Sequence, residues 1–341
     1  MRPVLLLLTC LRVAVALGQP PPGYYNAASG LSGAPLKQAL YTIISGHTVL
    51  ANSALWDAFA ACDARPDGYV WDIYSDQPGG TPAYLYSFVV DQCGTYNSEG
   101  DCFNREHTFP LSWFNSAAPM STDVHHIHPT DAWVNQRRAN WPYGTVASPT
   151  WSSTNGGKLG PCSWPGCSGT AFEPIDAYKG DLARAYFYMM TRYLPFVIAW
   201  SGPMTQGDDL APWAESLLLD WHLGDPVSPK EVARNNAVYA LQNNRNPYID
   251  NPLWVEAIWG PNASAGEPPS SAVRMWVADG RLYTNGIAAG TSVQVSDALG
   301  RVVLTVTVTS EGGSVELPLL NGLYFATCVG EAGVVVVRFV R

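Results

Sequence analysis

The sequence predicts an α+β chain: a mostly helical domain followed by a small all-β sandwich. Three observations carry that reading. Residues 31–260 hold long, aromatic-rich segments with helical runs, the stretch 261–271 (PNASAGEPPSS) has the Pro, Gly, Ser and Ala content of an exposed linker, and the remaining residues alternate apolar and polar with period 2. The domains expected are a signal peptide at 1–18, a catalytic domain at 19–260, the linker at 261–271 and a β-sandwich at 272–341. With 31 Gly and 27 Pro among 341 residues, the chain is too poor in these residues for low complexity, which excludes wholesale disorder. Only 14% of residues are charged, and the net charge is −9. That balance argues against a protein that coats nucleic acid through bulk electrostatics, but leaves room for a local basic groove.

The first eighteen residues combine Arg2, the apolar run Val4–Leu8 and a small-x-small end at Ala16-Leu17-Gly18, the pattern of a secretory signal. Gln19 is then the mature start. Leu7-Leu8-Thr9-Cys10 faintly resembles a lipoprotein box, which would instead place a lipid on Cys10. No stretch reaches the length of apolar sequence needed to span a bilayer, so no stable membrane insertion is expected. Helices are expected from Gly180 to Tyr193 and from Ser228 to Gln242, the second entered through Ser-Pro. Outside the signal, six cysteines remain in an oxidising setting, and Cys162–Cys167 and Cys93–Cys102 are the expected pairs. After the linker, strands are expected at 292–296, 302–307, 322–329 and 333–340.

The chemistry concentrates between Asp101 and Tyr143, which holds four of the six histidines. Glu106 next to His107 sets a hard oxygen ligand beside a titratable base. Neighbouring side chains on a strand point to opposite faces, so both serve one site only if the strand ends there in a twist or bulge, and Pro110 suits such an end. Asp131–Asn140 reads as a short helix presenting Asn135, with Arg138 on a nearby face. A carboxylate, an imidazole, an amide oxygen and guanidinium groups are the inventory of a hard-metal phosphodiester site.

These residues resemble the endonuclease I family of secreted, nonspecific nucleases. The likeness lies in Asn104-Arg105-Glu106-His107 with Pro110 and Ser112-Trp113-Phe114, in Asp123-Val124-His125-His126 with Pro129, and in Asn135-Gln136-Arg137-Arg138-Ala139-Asn140. It continues through Phe172-Glu173-Pro174, Lys179-Gly180-Asp181, Trp221-His222, Arg234-Asn235-Asn236 and Asn244-Arg245-Asn246-Pro247 to Trp259-Gly260. The resemblance implies a ββα-metal core in which His107 is the general base and Glu106 and Asn135 hold Mg2+, with Ca2+ or Mn2+ as alternatives. Arg138 is expected to grip the scissile phosphate, with Arg137 or Arg245 as further phosphate contacts. Asp123, His125 and His126 are expected to support the site from behind, and His128 to lie at the surface. Two positions depart from the family pattern: Ser121 stands where an acidic residue is common, and His126 where Asn is common.

Other motifs take structural readings. Tyr186–Met190 reads as a buried helix face, Trp221 and His222 as packing, and Arg245-Asn246-Pro247 as a helix exit; Asn262-Ala263-Ser264 fits a glycosylation triplet. The tail, with Asp297-Ala298-Leu299-Gly300-Arg301, Asn321-Gly322-Leu323-Tyr324 and Val335–Arg341, is similar to the C-terminal sorting domain of type IX secretion cargo. The resemblances together imply a secreted or cell-surface monomer that hydrolyses DNA, RNA or both to 5′-phosphate products and engages secretion machinery through its tail. The rival reading is a secreted binding protein in which His107, His125, His126 and His128 close a structural zinc site.

Overall fold

The computed structural model describes residues 19–261 and, within 274–340, all except 279–280, 286, 288, 298–300, 309–313 and 331–332. The signal segment 1–18 with Cys10, the linker beyond Pro261, the Asn262 triplet and Ala298–Gly300 lie outside the described residues. The chain divides into two compact units, Met1–Ala265 and Gly266–Arg341.

In the first unit, helices α1 (Gly33–Ile44) and α2 (Leu55–Cys62) precede a long connection that leads to strand β1 (Phe103–His107). Strand β2 (Ile127–Asp131) pairs with β1 in antiparallel register, Phe103 opposite Asp131 and His107 opposite Ile127, and runs directly into helix α3 (Ala132–Arg138). This is the ββα arrangement that the resemblance implied. A small sheet of β3 (Trp151–Ser152), β4 (Lys158–Pro161) and β5 (Thr170–Glu173) follows, then α4 (Lys179–Arg192) and the short hairpin β6 (Thr205–Gln206) and β7 (Asp209–Leu210). Helices α5 (Pro212–Gly224), α6 (Pro229–Gln242), α7 (Pro247–Asp250) and α8 (Leu253–Trp259) complete the unit.

Helix α4 is its axle. Tyr186, Phe187, Tyr188, Met189 and Met190 are all fully buried, in a core shared with Leu36, Leu40, Leu217, Leu218 and Trp259. A helix apolar on every side is stable only when covered on every side, and α1, α5 and α8 contribute to that cover. The expected start and end of α6 are both present: Ser228 and Glu231 form a reciprocal capping box, and Asn243 closes the helix with φ of 61°. Disulfides join Cys93 to Cys102 and Cys162 to Cys167, the two expected pairs.

The second unit is a sandwich. A four-stranded sheet of β11 (Val302–Thr307), β10 (Ser292–Asp297), β13 (Leu323–Gly330) and β14 (Gly333–Val340) shares one core with a three-stranded sheet of β12 (Ser314–Glu316), β9 (Arg281–Asn285) and β8 (Arg274–Ala278). Leu282 from one sheet and Val293, Val295 and Ala326 from the other meet in that core. Strands β8, β9 and β12 add to the four expected from alternation.

The capping box supports a stability prediction. Ser228→Ala removes the acceptor of the Glu231 N–H and should cost about 1 kcal/mol in urea unfolding. An unchanged midpoint would contradict the cap's role.

Candidate active site

The pairing of β1 and β2 is regular through His107, with no bulge at Glu106, so the side chains of Glu106 and His107 leave the strand on opposite faces. The ladder is carried one residue further by Thr108, whose N–H and Oγ1 both donate to His126 O at 3.0 Å. A single cleft is nonetheless lined by Glu106, His107, Asn135 and Arg138. They meet because the strand stops there and α3 returns alongside it.

Glu106 is buried. Its Oε1 accepts from Tyr74 Oη at 2.8 Å and Tyr143 Oη at 3.5 Å, and lies 2.9 Å from Arg138 Nη1. Burial raises its pKa, opposed by the Arg138 charge and the two tyrosine hydroxyls. No described residue donates to Oε2. Asn135 is turned by Asn104, whose Oδ1 accepts the Asn135 amide at 2.6 Å; the Asn135 carbonyl oxygen is left without a protein donor among the described residues. Two hard oxygen atoms at one cleft, with room for water, suit a divalent cation of the magnesium kind.

His107 is half-buried, and its Nε2 donates to Ser121 O at 3.1 Å. That bond puts the proton of the neutral ring on Nε2 and leaves Nδ1 unprotonated, and the Arg105 backbone also lies within reach of the imidazole. Burial, helped by the neighbouring His126, pushes its pKa down to about 3, so the ring is a neutral acceptor at physiological pH. The bond uses the backbone carbonyl of Ser121 and not its side chain.

Three expectations need correction. Arg138 is not an open phosphate clamp: it is 1% exposed, and its fork donates to His107 O at 2.9 Å and Thr108 O at 2.5 Å while pairing with Glu106. Its guanidinium carbon also lies 4.6 Å from the centre of the Tyr143 ring. Arg245 is buried too, in a forked pair with Asp250 at 2.7 Å through Nε and Nη2 and a further bond to Asn236. It braces the exit of α6. His128 is no surface residue; β2 is buried along its whole length, and His128 Nδ1 lies 3.8 Å from Asp63, which is itself paired to Arg234.

Arg137, by contrast, is exposed and stacks on Trp133. The three residues expected to support the site make structural hydrogen bonds. His125 Nε2 donates to Asn244 O at 3.1 Å, and His126 Nε2 to Met120 O at 2.7 Å. Asp123 is fully buried and accepts four hydrogen bonds: Tyr188 Oη and Tyr193 Oη at 2.7 Å, Gln242 Nε2 at 2.9 Å and the His125 N–H at 3.1 Å. Burial raises its pKa, but the neighbouring His47, His125 and His126 and the Gln242 amide outweigh that and hold its carboxyl well below the usual carboxylate range. The four histidines of the segment therefore face four different partners, and among the described residues no group of three or more His, Cys, Asp or Glu could hold a metal. The closed zinc site has no structural basis. Sequence reasoning missed Tyr74, Tyr143 and Asn104 as partners of the site; Asn104 stood inside the quoted motif, but nothing in the pattern signals a tyrosine about thirty residues upstream.

The endonuclease I family model matches residues 32–253. The chain belongs to the endonuclease I family. Among its relatives, the extracellular ribonuclease of Bacillus amyloliquefaciens is 38% identical over 249 residues, covering 69% of this chain and 78% of the relative. The extracellular ribonuclease of Bacillus subtilis (strain 168) is 33% identical over 258 residues, with the same coverage of each chain. The extracellular deoxyribonuclease of Aeromonas hydrophila is 27% identical over 138 residues, 38% of this chain and 50% of the relative. This endonuclease I family member is a nuclease, and the ββα segment with the cleft described above lies inside the matched region.

Replacing Asp123 by Ala would strand two tyrosine hydroxyls, an amide and a backbone N–H in a dry interior. The expected loss in urea unfolding is about 3–5 kcal/mol, with Asp123→Asn milder; a loss under about 1 kcal/mol would show that the hub is not needed.

Proposed function

We propose that this nuclease is secreted, depends on a divalent metal, and hydrolyses DNA, RNA or both without sequence specificity, leaving 5′-phosphate and 3′-hydroxyl ends. The observation that carries this reading is the bond from His107 Nε2 to Ser121 O, which leaves Nδ1 as the unprotonated nitrogen of a ring that lines the same cleft as Glu106 and Asn135. The relatives' names include both a ribonuclease and a deoxyribonuclease, which supports a reading in which either nucleic acid is cleaved.

In this reading His107 Nδ1 takes a proton from the attacking water, a task for a neutral imidazole held in one orientation by its other nitrogen. Glu106 Oε2 and the Asn135 carbonyl would hold the cation, Mg2+ first, with Ca2+ or Mn2+ as alternatives. When bound, such an ion stabilises charge on the phosphate and the departing O3′. Arg138 opposes the rise that burial imposes on the Glu106 pKa and fixes the carbonyls at the end of β1. It acts through those groups and not on the phosphate. Water attack expels O3′, so the phosphate stays on the 5′ side. Residues 1–18 would direct export, and the C-terminal sandwich would serve as the address read by type IX secretion machinery; the catalytic chain acts as a monomer. Among the described residues no helix is long and apolar enough to cross a membrane.

Excess chelator should abolish cleavage of plasmid DNA and of RNA, and added Mg2+ should restore it. Glu106→Gln and Asn135→Ala should raise the Mg2+ concentration needed for half-maximal rate by about tenfold or more, the effect of losing one of few ligands. End-labelling should show 5′-phosphates on both products. Cleavage that survives the chelator, or 2′,3′-cyclic phosphate ends on RNA, would overturn the mechanism.

A further inference from the structure

Two arginines line the cleft of Glu106, His107 and Asn135, and they differ in what holds them. Arg138 is sealed against Glu106. Arg105 is half-buried and has no carboxylate partner among the described residues. It stands two residues before His107 on the regular strand β1, so the two side chains leave on the same face, opposite to that of Glu106. A second cleft, about 420 Å³, adjoins the first and is lined by Asn52, Asn104, Arg105, His107 and Ser121. Arg105, His107 and Leu111 border both clefts, whereas Glu106 and Asn135 border the first alone.

The Arg105 guanidinium is braced from two directions. Its carbon lies 5.0 Å from the centre of the Trp56 ring on α2, and Nη1 donates to Asn52 Oδ1 at 2.9 Å and to Asn52 O at 3.2 Å. Trp56 is itself held edge-on by Phe103 and Phe59, with ring centres 5.6 and 6.1 Å away. A stacked ring and one anchored nitrogen restrain the long side chain, but both partners are neutral and leave its charge uncompensated. Nε and Nη2 enter no hydrogen bond among the described residues. A guanidinium ordered in advance, with donors to spare, meets an anion without first losing its own freedom. The chain carries only 19 Lys and Arg, so a polyanionic substrate has to be held by few cations. Arg105 is placed to be one of them.

We propose that Arg105 binds the backbone phosphate next to the scissile one, on the strand as it passes from His107 into the second cleft. A polynucleotide that reacts beside His107 must continue beyond the site, and Arg105 stands where the two clefts meet. The contact is to phosphate and not to a base or a sugar, so it serves DNA and RNA, paired or unpaired. The proposal rests on the reading of the first cleft as the place of cleavage, and it supplies there an arginine–phosphate contact that the buried Arg138 does not make.

The test uses the full chain at fixed Mg2+ with two substrates: a duplex oligonucleotide, and bis(4-nitrophenyl) phosphate, a diester with no neighbouring phosphate. Arg105→Ala should lower kcat/KM on the duplex by about tenfold more than on the small diester, chiefly through KM, the size of one lost charge-assisted contact. The fall of log kcat/KM on the duplex with log salt should also become shallower, by a slope of about one. Arg105→Lys keeps the charge and loses the fork, and it should restore the slope. Equal losses on the two substrates, or an unchanged salt slope in Arg105→Ala, would overturn the contact. His107→Ala separates this proposal from the reading beneath it. Near-parental cleavage by that variant would place the reaction outside the cleft and overturn both, whereas a disabled His107→Ala beside an Arg105→Ala that cleaves like the parent would overturn the phosphate contact alone.

Discussion

The site depends on one buried arginine. Glu106 and His107 are neighbours on a strand and leave it on opposite faces, yet both must border one cleft. Arg138 resolves this by gripping the strand's end from behind: one nitrogen reaches His107 O and Glu106, another Thr108 O. Tyr186 adds a second bond to Thr108 O from the core helix. A guanidinium out of water is costly unless it is paired; Nη1 and Nη2 of Arg138 are, while Nε has no hydrogen-bond partner among the described residues, and the paired nitrogens tie down the end of β1. The same charge opposes the tendency of burial to protonate Glu106. An arginine at the cleft surface could grip a phosphate, but could not do this.

A second constraint lies in the loop between the two strands. Its carbonyls at Met120 and Ser121 take the Nε2 protons of His126 and His107. Asp123, a few residues on, ties that loop to α4 through Tyr188 and Tyr193 and to the end of α6 through Gln242. Packing inside the helical unit is thus transmitted to the orientation of one imidazole. Of the histidines in the segment, His125, His126 and His128 are buried and each is engaged by a separate partner, whereas the half-buried His107 lines the cleft.

Much of the fold was legible because local signals agreed. The Ser-Pro entry with Glu231 marked the start of α6, the unbroken apolar run at Tyr186–Met190 marked a helix covered on all sides, and the short loops between cysteines marked both disulfides. The candidate site was legible as a set of residues through its resemblance to a family, but less so in its division of labour. Arg138 and Arg245 looked like phosphate contacts because arginine is the usual phosphate ligand; that each is sealed against a carboxylate follows from Glu106 and Asp250, whose facing position no spacing rule reveals. His128 looked exposed because polar residues alternate out of half-buried strands, whereas β2 is covered on both faces. Tyr74 and Tyr143 were invisible for the same reason: their contact with Glu106 is made across 32 and 37 residues of chain.

The proposed mechanism turns on the unprotonated Nδ1 of His107 as the base. Its most direct test is the single-turnover cleavage rate of His107→Gly at saturating Mg2+, measured with and without added imidazole. A general base contributes roughly 10²–10⁴ in rate. The account therefore predicts a loss of that order, with the rate rising again as imidazole fills the space the side chain has vacated. Cleavage by the glycine variant at the parental rate without imidazole would contradict it.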